Sequence, residues 1–345
     1  MGKKFDVVIG NPPYQDDSVG ESTHNMPIYD KFMDAAYEVG EKAVLITPAR
    51  FLFNAGYTSK EWNAKMLADP HLSVAYYAPN SDELFPGTDI KAGVVVTYRD
   101  SSKLGEPIGT FSKHPELNSI IHKVARSGDS SLTKIDITND RQYRFTDQMH
   151  AENLQARDLM SKGNPYKPDA RTFSRLKFLW HEAKPDDGNE YVQVLGRDGA
   201  HRALRWIRRE YYSGPPSFKK FKVAIPAANG AGTFGEALAQ PLVLDPDVGV
   251  QGTFITIGSF ENGDAAAACE KYLKSKFART MLGVLKVTQH NSASKWEHVP
   301  LQDFTENSDI DWSRSIPDID QQLYAKYGLD DYEIEFIESR VKPMS

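Results

Sequence analysis

A short segment near the start of the chain combines residue types that can orient an amine. Asn11, Pro12, Pro13 and Tyr14 directly follow an apolar run over residues 5–10. Two consecutive prolines fix two φ angles and remove two N–H donors, so this segment is predicted to be a stiff loop. Transfer of a group to an exocyclic amine needs acceptors for the N–H groups of that amine, and the Asn11 side-chain oxygen and the Pro12 carbonyl can supply them. The pattern therefore predicts a site that aligns an amino nitrogen with an electrophile.

An aromatic residue closes this segment and suggests what carries the amine. A base inside a duplex cannot reach such a loop, so it would have to be flipped out and held by stacking on a ring. Tyr14 is placed to supply one face of that stack. The alternative is a proline-stiffened turn without a chemical role.

The run from Phe5 to Tyr14 resembles motif IV of the adenine-N6 DNA methyltransferases, particularly the TaqI-like gamma class of type II restriction-modification methylases. The family pattern is Asn, Asp or Ser, then Pro-Pro, then Tyr, Phe or Trp; an initial Asn favours adenine and an initial Ser favours cytosine N4. The resemblance implies double-stranded DNA as substrate, S-adenosylmethionine as methyl donor, Asn11 to Tyr14 as the catalytic loop, and no metal.

Two further stretches resemble the same family in order. Residues 42–53 are similar to its next strand and loop, and residues 81–96 to the strand pair that carries a second base-stacking aromatic. Phe85 matches the position of that aromatic, and its alternative is an ordinary core phenylalanine at the end of a hairpin. Residues 309–313 and 320–324 resemble the end of these methylases.

The cofactor site is the largest departure from the family pattern. In the gamma class a glycine-rich cofactor loop precedes the catalytic loop, but only ten residues precede Asn11. The expected explanations are a truncated chain, a separate subunit that brings the cofactor site, or a permuted enzyme. The permuted case has one candidate, a Gly-x-Gly-x-x-Gly pattern over residues 230–235. Its alternative is a glycine-rich turn in a DNA-reading domain, so no cofactor-binding residue is assigned.

The elements that must position this loop alternate between strands and helices, which indicates an α/β fold. Residues 1–105 are predicted to form the catalytic half of a Rossmann-like methyltransferase sheet, with four strands and two helices. Its first strand, at 5–10, reads as buried on both faces. The first helix begins near Pro27 with an apolar stripe through Ile28, Phe32, Ala35, Ala36 and Val39, and the second, over residues 61–67, with a capping box of Thr58 and Glu61.

The rest of the chain is predicted to form an α+β target-recognition domain over residues 106–305 and a helical segment over residues 306–345. The domain boundary is placed near residue 105, within about ten residues. Strands are predicted at 191–195, 222–226 and 253–257, and a helix capped by Asp264 is predicted to run to about Leu282.

Basic and aromatic residues alternate between Gly196 and Lys222, where eight lysines and arginines face only two acidic residues. Such a segment is typical of surfaces that contact phosphates. The predicted DNA-binding residues are Arg202, Arg205, Arg208, Arg209, Lys219, Lys220 and Lys222. The alternative is a solvated basic helix neutralised by residues 300–345, which hold eleven acidic and four basic residues.

Composition narrows the class of protein. The 345 residues are 40% hydrophobic and 26% charged, no run is long enough to span a membrane, and the start lacks a secretory pattern, so a cytoplasmic location is expected. Cys269 is the only cysteine, which excludes an internal disulfide and a cysteine-based zinc site. The sequence predicts site-specific adenine-N6 methylation of DNA in a restriction-modification system, needing a cofactor-binding segment or subunit. The alternative is a DNA-binding specificity module without independent catalysis.

Overall fold

The computed structural model describes residues 4–16, 26–286 and 288–344, and the chain divides into two units, Met1–Asn118 and Ser119–Ser345. The fold is mixed α/β with several small sheets. No helix in the described part of the chain is long and apolar enough to cross a membrane.

The first unit is built on one four-stranded sheet. Its strands and helices, in chain order, are β1 (Phe5–Gly10), α1 (Tyr29–Val39), β2 (Gly40–Pro48), α2 (Lys60–Leu67), β3 (Leu72–Ala78) and β4 (Val94–Asp100). The strand order is β1-β2-β4-β3, with β1 parallel to β2 and β4 antiparallel to both of its neighbours. The expected four strands and two helices are confirmed.

Strand β1 corrects one prediction, because it is not buried on both faces. Among the described residues it forms the edge of the sheet and pairs only with β2. One face carries Phe5, Val7 and Ile9, whose side chains are 57%, 49% and 77% exposed. Val8 points to the opposite face and packs against the core of the first unit. The continuous apolar run therefore reflects an edge strand in which four of the six residues are exposed.

The buried stripe of α1 also differs from the predicted one. The residues that pack into the core are Tyr29, Met33, Ala36 and Tyr37, whereas Phe32 and Ala35 are exposed. The observed residues repeat at helical spacing, so the prediction had the correct period but the wrong face.

Two helices begin at residues other than those predicted. The cap of α2 is Ser59, whose Oγ accepts from the Trp62 N–H at 3.1 Å, while the Thr58 hydroxyl donates to Asn63. In the second unit, the helix expected to begin at Asp264 is capped by Asn262. That helix also breaks at Ser275, whose hydroxyl oxygen accepts from the N–H of Ala278.

The second unit holds three small sheets. Its strands are β5 (Arg144–Phe145), β6 (Tyr191–Asp198), β7 (His201–Arg208), β8 (Tyr212–Ser213), β9 (Phe221–Pro226), β10 (Leu242–Leu244), β11 (Val248–Val250) and β12 (Phe254–Phe260). The sheet orders are β10-β9-β12, β11-β6-β7 and β5-β8. Strands β6, β9 and β12 were predicted; β7 is the basic stretch, so the alternative of a basic helix is wrong.

The helices of the second unit lie mostly near its end. They are α4 (Asp147–Glu152), α5 (Ala156–Leu159), α6 (Thr172–Arg175), α7 (Gly263–Lys274), α8 (Lys276–Gly283), α9 (Ile316–Lys326) and α10 (Asp331–Arg340), while α3 (Pro115–Ser127) contains the boundary between the units. An aromatic core that includes Phe145, Trp180 and Tyr212 supports the sheets. Helices α9 and α10 lie within the segment of residues 306–345 that was predicted to be helical, and both belong to this unit.

Candidate functional site

The Asn11–Tyr14 loop lies where several strands of the first sheet end. Gly10, the last residue of β1, is in register with Leu45 of β2, and the two strands are parallel. Pro48 ends β2 opposite Val94, the first residue of β4. The loops after β1 and β2 and the loop before β4 therefore meet at the same end of the strands. Open α/β sheets bind ligands at this end.

Backbone contacts hold the loop after β1 in place. The Tyr14 carbonyl accepts from the Ile28 N–H at 3.3 Å, and the Asp16 N–H donates to the Met26 carbonyl at 2.9 Å. Asn11 and Pro13 are exposed. Neither the Asn11 side-chain amide nor the Pro12 carbonyl has a hydrogen-bond partner within residues 4–16, 26–286 and 288–344. Both acceptors of the predicted amine site are therefore free to meet a substrate.

A pocket of about 240 Å³ opens beside this loop. Its lining combines tyrosine rings with one guanidinium: Tyr14, Gln15, Pro27, Tyr29, Pro48, Arg50, Tyr57, Asp89 and Ile90. The Tyr14 hydroxyl is buried without a hydrogen-bond partner, and burial raises the pKa of this phenol. Tyr14 therefore presents a neutral aromatic ring to the pocket.

Arg50, Tyr29 and Tyr57 were not predicted as site residues. The Arg50 Nε donates to the Lys91 carbonyl at 3.2 Å, which joins the loop after β2 to the loop before β4. Arg50 lies in the stretch of residues 42–53, which was compared with a strand and loop of the methylases without any site residue being assigned to it. Tyr29 gave no signal, because the sequence placed it only at the start of the first predicted helix, outside the predicted apolar stripe.

Phe85 lies in the loop between β3 and β4 and is half-buried. The Ser81 hydroxyl braces that loop, since it donates to the Thr88 carbonyl at 2.9 Å and accepts from the Ile90 N–H at 2.8 Å. Gly93 ends the same loop at φ +78°, where an added Cβ would collide with the Ala78 carbonyl. Phe85 does not line the pocket beside Tyr14, so its stacking role stays a prediction.

The glycine-rich segment of the second unit does not fit a cofactor. The Glu236 carboxylate already accepts from the N–H groups of Ala231 and Gly232, at 2.9 and 3.1 Å, and forms an ion pair with buried Lys286. Burial works to raise the pKa of Glu236, but Lys286 and the two amides outweigh it and hold this pKa below its usual value. The amides that a cofactor phosphate or carboxylate would need are therefore occupied by the protein's own side chain.

The arginines of the predicted DNA-binding stretch have partners within the second unit. Arg205 pairs with Asp198 and Glu182, and Arg209 pairs with Asp247. Arg208 lies between Glu152 and Glu210. None of these acids belongs to residues 300–345, so in the described ion pairs the acidic C-terminal segment does not neutralise this stretch.

The remaining residues of the stretch differ in exposure. The Arg202 guanidinium donates to the Gln240 carbonyl at 2.6 Å. Lys222 is fully buried and donates to the carbonyls of Phe218, Lys220 and Asp245, which removes it from the surface. Lys220 pairs with Glu261, and Lys219 is exposed.

A metal centre was not predicted, and no group of three His, Cys, Asp or Glu residues in the described part of the chain is arranged to hold a metal ion. Cys269 is buried in α7.

The first part of the chain matches the model of a known protein family. Residues 1–85, which include β1, the Asn11–Tyr14 loop and the first two helices, match the model of the Eco57I restriction-modification methylase family. A search of curated proteins found no match.

Two solved structures were compared with the whole chain. The type IIG restriction endonuclease BpuSI is 10% identical with a TM-score of 0.32, over 97% of this chain and 54% of that one. The type IIL restriction-modification enzyme MmeI, solved in complex with DNA, is 10% identical with a TM-score of 0.29, over 98% and 55%. The chain thus spans about half the length of these enzymes, and at such TM-scores neither similarity assigns a fold or an activity.

Proposed function

We propose that this chain is the catalytic and DNA-reading part of a restriction-modification methylase that methylates adenine N6 in double-stranded DNA. The observation that carries the proposal is the Asn11–Tyr14 loop, which follows the carboxyl end of β1 beside a tyrosine-lined pocket and whose two amine acceptors have no hydrogen-bond partner among the described residues. The match of residues 1–85 to a methylase family supports it from an independent direction.

The residues divide the work of the proposed reaction. The Asn11 side-chain oxygen and the Pro12 carbonyl accept from the two N–H groups of adenine N6, which directs the nitrogen lone pair towards the incoming methyl group. Pro13 keeps the loop rigid. Tyr14 stacks on one face of the flipped base, and Phe85 is proposed to cover the other.

S-adenosylmethionine is the proposed methyl donor, and it is proposed to bind on a separate segment or subunit. The glycine-rich segment does not fit it, since Glu236 occupies the amides. The first sheet supports such an addition, because no described strand pairs with the outer edge of β1, which exposes Phe5, Val7 and Ile9. Added strands would complete the Rossmann-like sheet of which β1 to β4 are proposed to be the catalytic half.

Methyl transfer by wild-type chain and by Asn11→Ala tests the proposal. The chain is incubated with S-adenosylmethionine and unmethylated duplex DNA, alone and with the product of the adjacent open reading frame, and N6-methyladenine is measured by mass spectrometry. Loss of one acceptor aimed at the reacting amine is expected to lower the rate by about 100-fold or more. Asn307→Ala, an exposed asparagine of the second unit, is the matched control and is expected to keep full activity.

Methyl groups on cytosine N4 alone, or full activity of Asn11→Ala, would contradict the proposal. A second function, a DNA-binding specificity module without catalysis, is favoured by the poor fit of the glycine-rich segment to a cofactor. Calorimetry, together with the methylation assay, separates the two functions. The module is supported if the chain binds duplex DNA but neither binds S-adenosylmethionine nor transfers a methyl group, both alone and with the product of the adjacent open reading frame.

A further inference from the structure

A basic cleft of about 720 Å³ opens in the second unit, at one end of the β10-β9-β12 sheet. It is lined from five places: the chain after β9, the start of β12, the Arg197 end of β6, the loop at residues 138–140 and the loop at residues 288–295. Loops gathered at one end of packed sheets are the usual place for a binding surface.

The charges in this cleft are not neutralised within the fold. Arg197 and Lys295 are half-exposed and His290 is exposed. In the described part of the chain neither Arg197 nor Lys295 has an ion pair, and the Arg197 guanidinium donates only to the Ala200 carbonyl, at 3.3 Å. Asp140, the one acid in the lining, pairs with Lys167. The cleft therefore keeps an excess of positive charge, unlike β7, whose arginines face carboxylates.

The positive charge of Arg197 also affects a neighbouring arginine on β7. Burial, and then the positive charge of Arg197, lower the pKa of Arg202. A like charge nearby disfavours the charged form, so the repulsion between these two guanidinium groups adds to the effect of burial on the pKa of Arg202. An anion in the cleft would relieve this repulsion.

The other groups that line the cleft suit a polar ligand. Asn139, Thr253, Thr288 and Ser292 bring hydroxyl and amide groups, and the buried Thr253 hydroxyl has no hydrogen-bond partner. The Thr138 hydroxyl is buried and already bonded to Thr256. No Phe, Tyr or Trp is among the described lining residues, so the exposed His290 imidazole is the one ring there and the cleft lacks the aromatic platform on which unpaired bases stack. Cationic donors with hydroxyls and amides match the phosphate oxygens and base edges of a duplex.

We propose that this cleft, with Arg197, His290 and Lys295, is the surface on which the second unit holds the sugar–phosphate backbone of duplex DNA. The inference rests on the proposed function and deepens it. Arg197 and Lys295 each contact a phosphate, while Asn139, Thr288 and Ser292 reach the adjacent phosphates or base edges. The basic stretch on β7 then acts mainly within the fold, through its ion pairs.

Salt-dependent binding of the full chain to a fluorescein-labelled mixed-sequence duplex tests the cleft. Anisotropy titrations over a range of KCl concentrations compare wild type with Arg197→Gln/Lys295→Gln. Removal of two phosphate contacts is expected to weaken binding about tenfold and to reduce the slope of log K against log salt by about 1.8. Arg314→Gln/Lys342→Gln carries the same charge change in the acidic C-terminal segment and is expected to keep both values.

Two further variants make the outcome decisive. Arg197→Lys keeps the charge, so it should keep the slope even if packing changes, which separates a phosphate contact from a folding defect. Lys219→Gln/Lys220→Gln tests the rival surface. If Arg197→Gln/Lys295→Gln kept the wild-type slope while Lys219→Gln/Lys220→Gln reduced it, the DNA-binding role of the cleft would be wrong and the proposed function would stand. If the wild-type chain did not bind duplex DNA, both the proposed function and the DNA-binding role of the cleft would be wrong.

Discussion

The Asn11 side chain contributes little to folding and much to the proposed reaction. It is exposed, and the described part of the chain gives it no hydrogen-bond partner. Replacing it should therefore change activity without a matching change in stability. A functional residue without a structural partner is easier to test than one that also holds the fold together.

Tyr14 offers a separate test, because its ring and its hydroxyl have different roles. The hydroxyl is buried without a partner, which costs about 1–3 kcal/mol. Tyr14→Phe removes this cost and keeps the ring, so thermal unfolding should shift upwards or stay constant and methyl transfer should persist. Tyr14→Ala removes the ring and is expected to abolish the fluorescence rise of 2-aminopurine placed at the target position.

Denaturation scans and fluorescence titrations of the two Tyr14 variants check this prediction. Equal loss of 2-aminopurine signal in Tyr14→Phe and Tyr14→Ala would mean that the hydroxyl, rather than the ring, holds the base. Tyr57→Phe is a control on the same pocket, since it alters an exposed hydroxyl and keeps the lining aromatic.

Among the elements, the strands that the sequence predicted correctly are those with dense β-branched runs. Strands β2, β4, β9 and β12 are examples, and each lies centrally or carries buried side chains. Strand β7 was missed because Arg202, Arg205 and Arg208 interrupt its apolar pattern, although all three are partly buried in the structure. The edge position of β1 could not be predicted either, since an apolar run does not reveal how many neighbours a strand has.

The sequence also did not predict the exact helix ends or the residues that line the pocket with Tyr14. Ser59 caps α2 one residue after the predicted cap Thr58, and Asn262 caps α7 two residues before the predicted cap Asp264, because several polar residues compete near each start. The Asn11–Tyr14 loop was predictable from local sequence. The pocket beside it was not, since Arg50, Tyr57 and Ile90 meet Tyr14 only through the register of the sheet.

The contact between α8 and α9 predicts a pH dependence of stability. Asp320 of α9 accepts from the N–H groups of Lys276 and Phe277 at the start of α8, at 3.0 and 2.9 Å. Burial outweighs these bonds and raises the pKa of Asp320 to about 6. A raised folded-state pKa means that the contribution is fully present below the unfolded pKa of about 4 and is lost as pH rises through about 6.

Asp320→Asn should remove this dependence. Its free energy of unfolding, measured with urea at a series of pH values, is expected to be flatter between pH 4 and 6 than that of wild type. Its absolute stability should be lower, because one of the two helix N–H groups loses an acceptor. Asp318→Asn, an exposed neighbour on α9, is the control. An unchanged slope in Asp320→Asn would assign the pH dependence to another group.

At the scale of the whole molecule, the first unit has the features of an incomplete sheet. Strand β1 pairs on one side only and exposes three apolar side chains. The same unit contains all of the residues that match a methylase family. The proposed cofactor-bearing segment or subunit accounts for both observations, because it would pair with β1 and cover that face.

Ile9→Lys tests this addition. Ile9 is 77% exposed, so a lysine there should be tolerated by the chain alone, but it would place a charge in the proposed contact. Complex formation with the product of the adjacent open reading frame, followed by sedimentation, is expected to be lost. Leu104→Lys, at a side chain that is 78% exposed in the same unit, should leave the complex intact. Equal binding by both variants would exclude the β1 edge.

The free edge of β1 also bears on how the protein behaves when it is produced alone. An unpaired strand edge flanked by apolar side chains is a template for pairing with another copy, which leads to aggregation. Overexpression without a companion polypeptide should therefore fill inclusion bodies. Yield should rise on co-expression with that companion, while Ile9→Lys alone should raise it by making the edge a poor template.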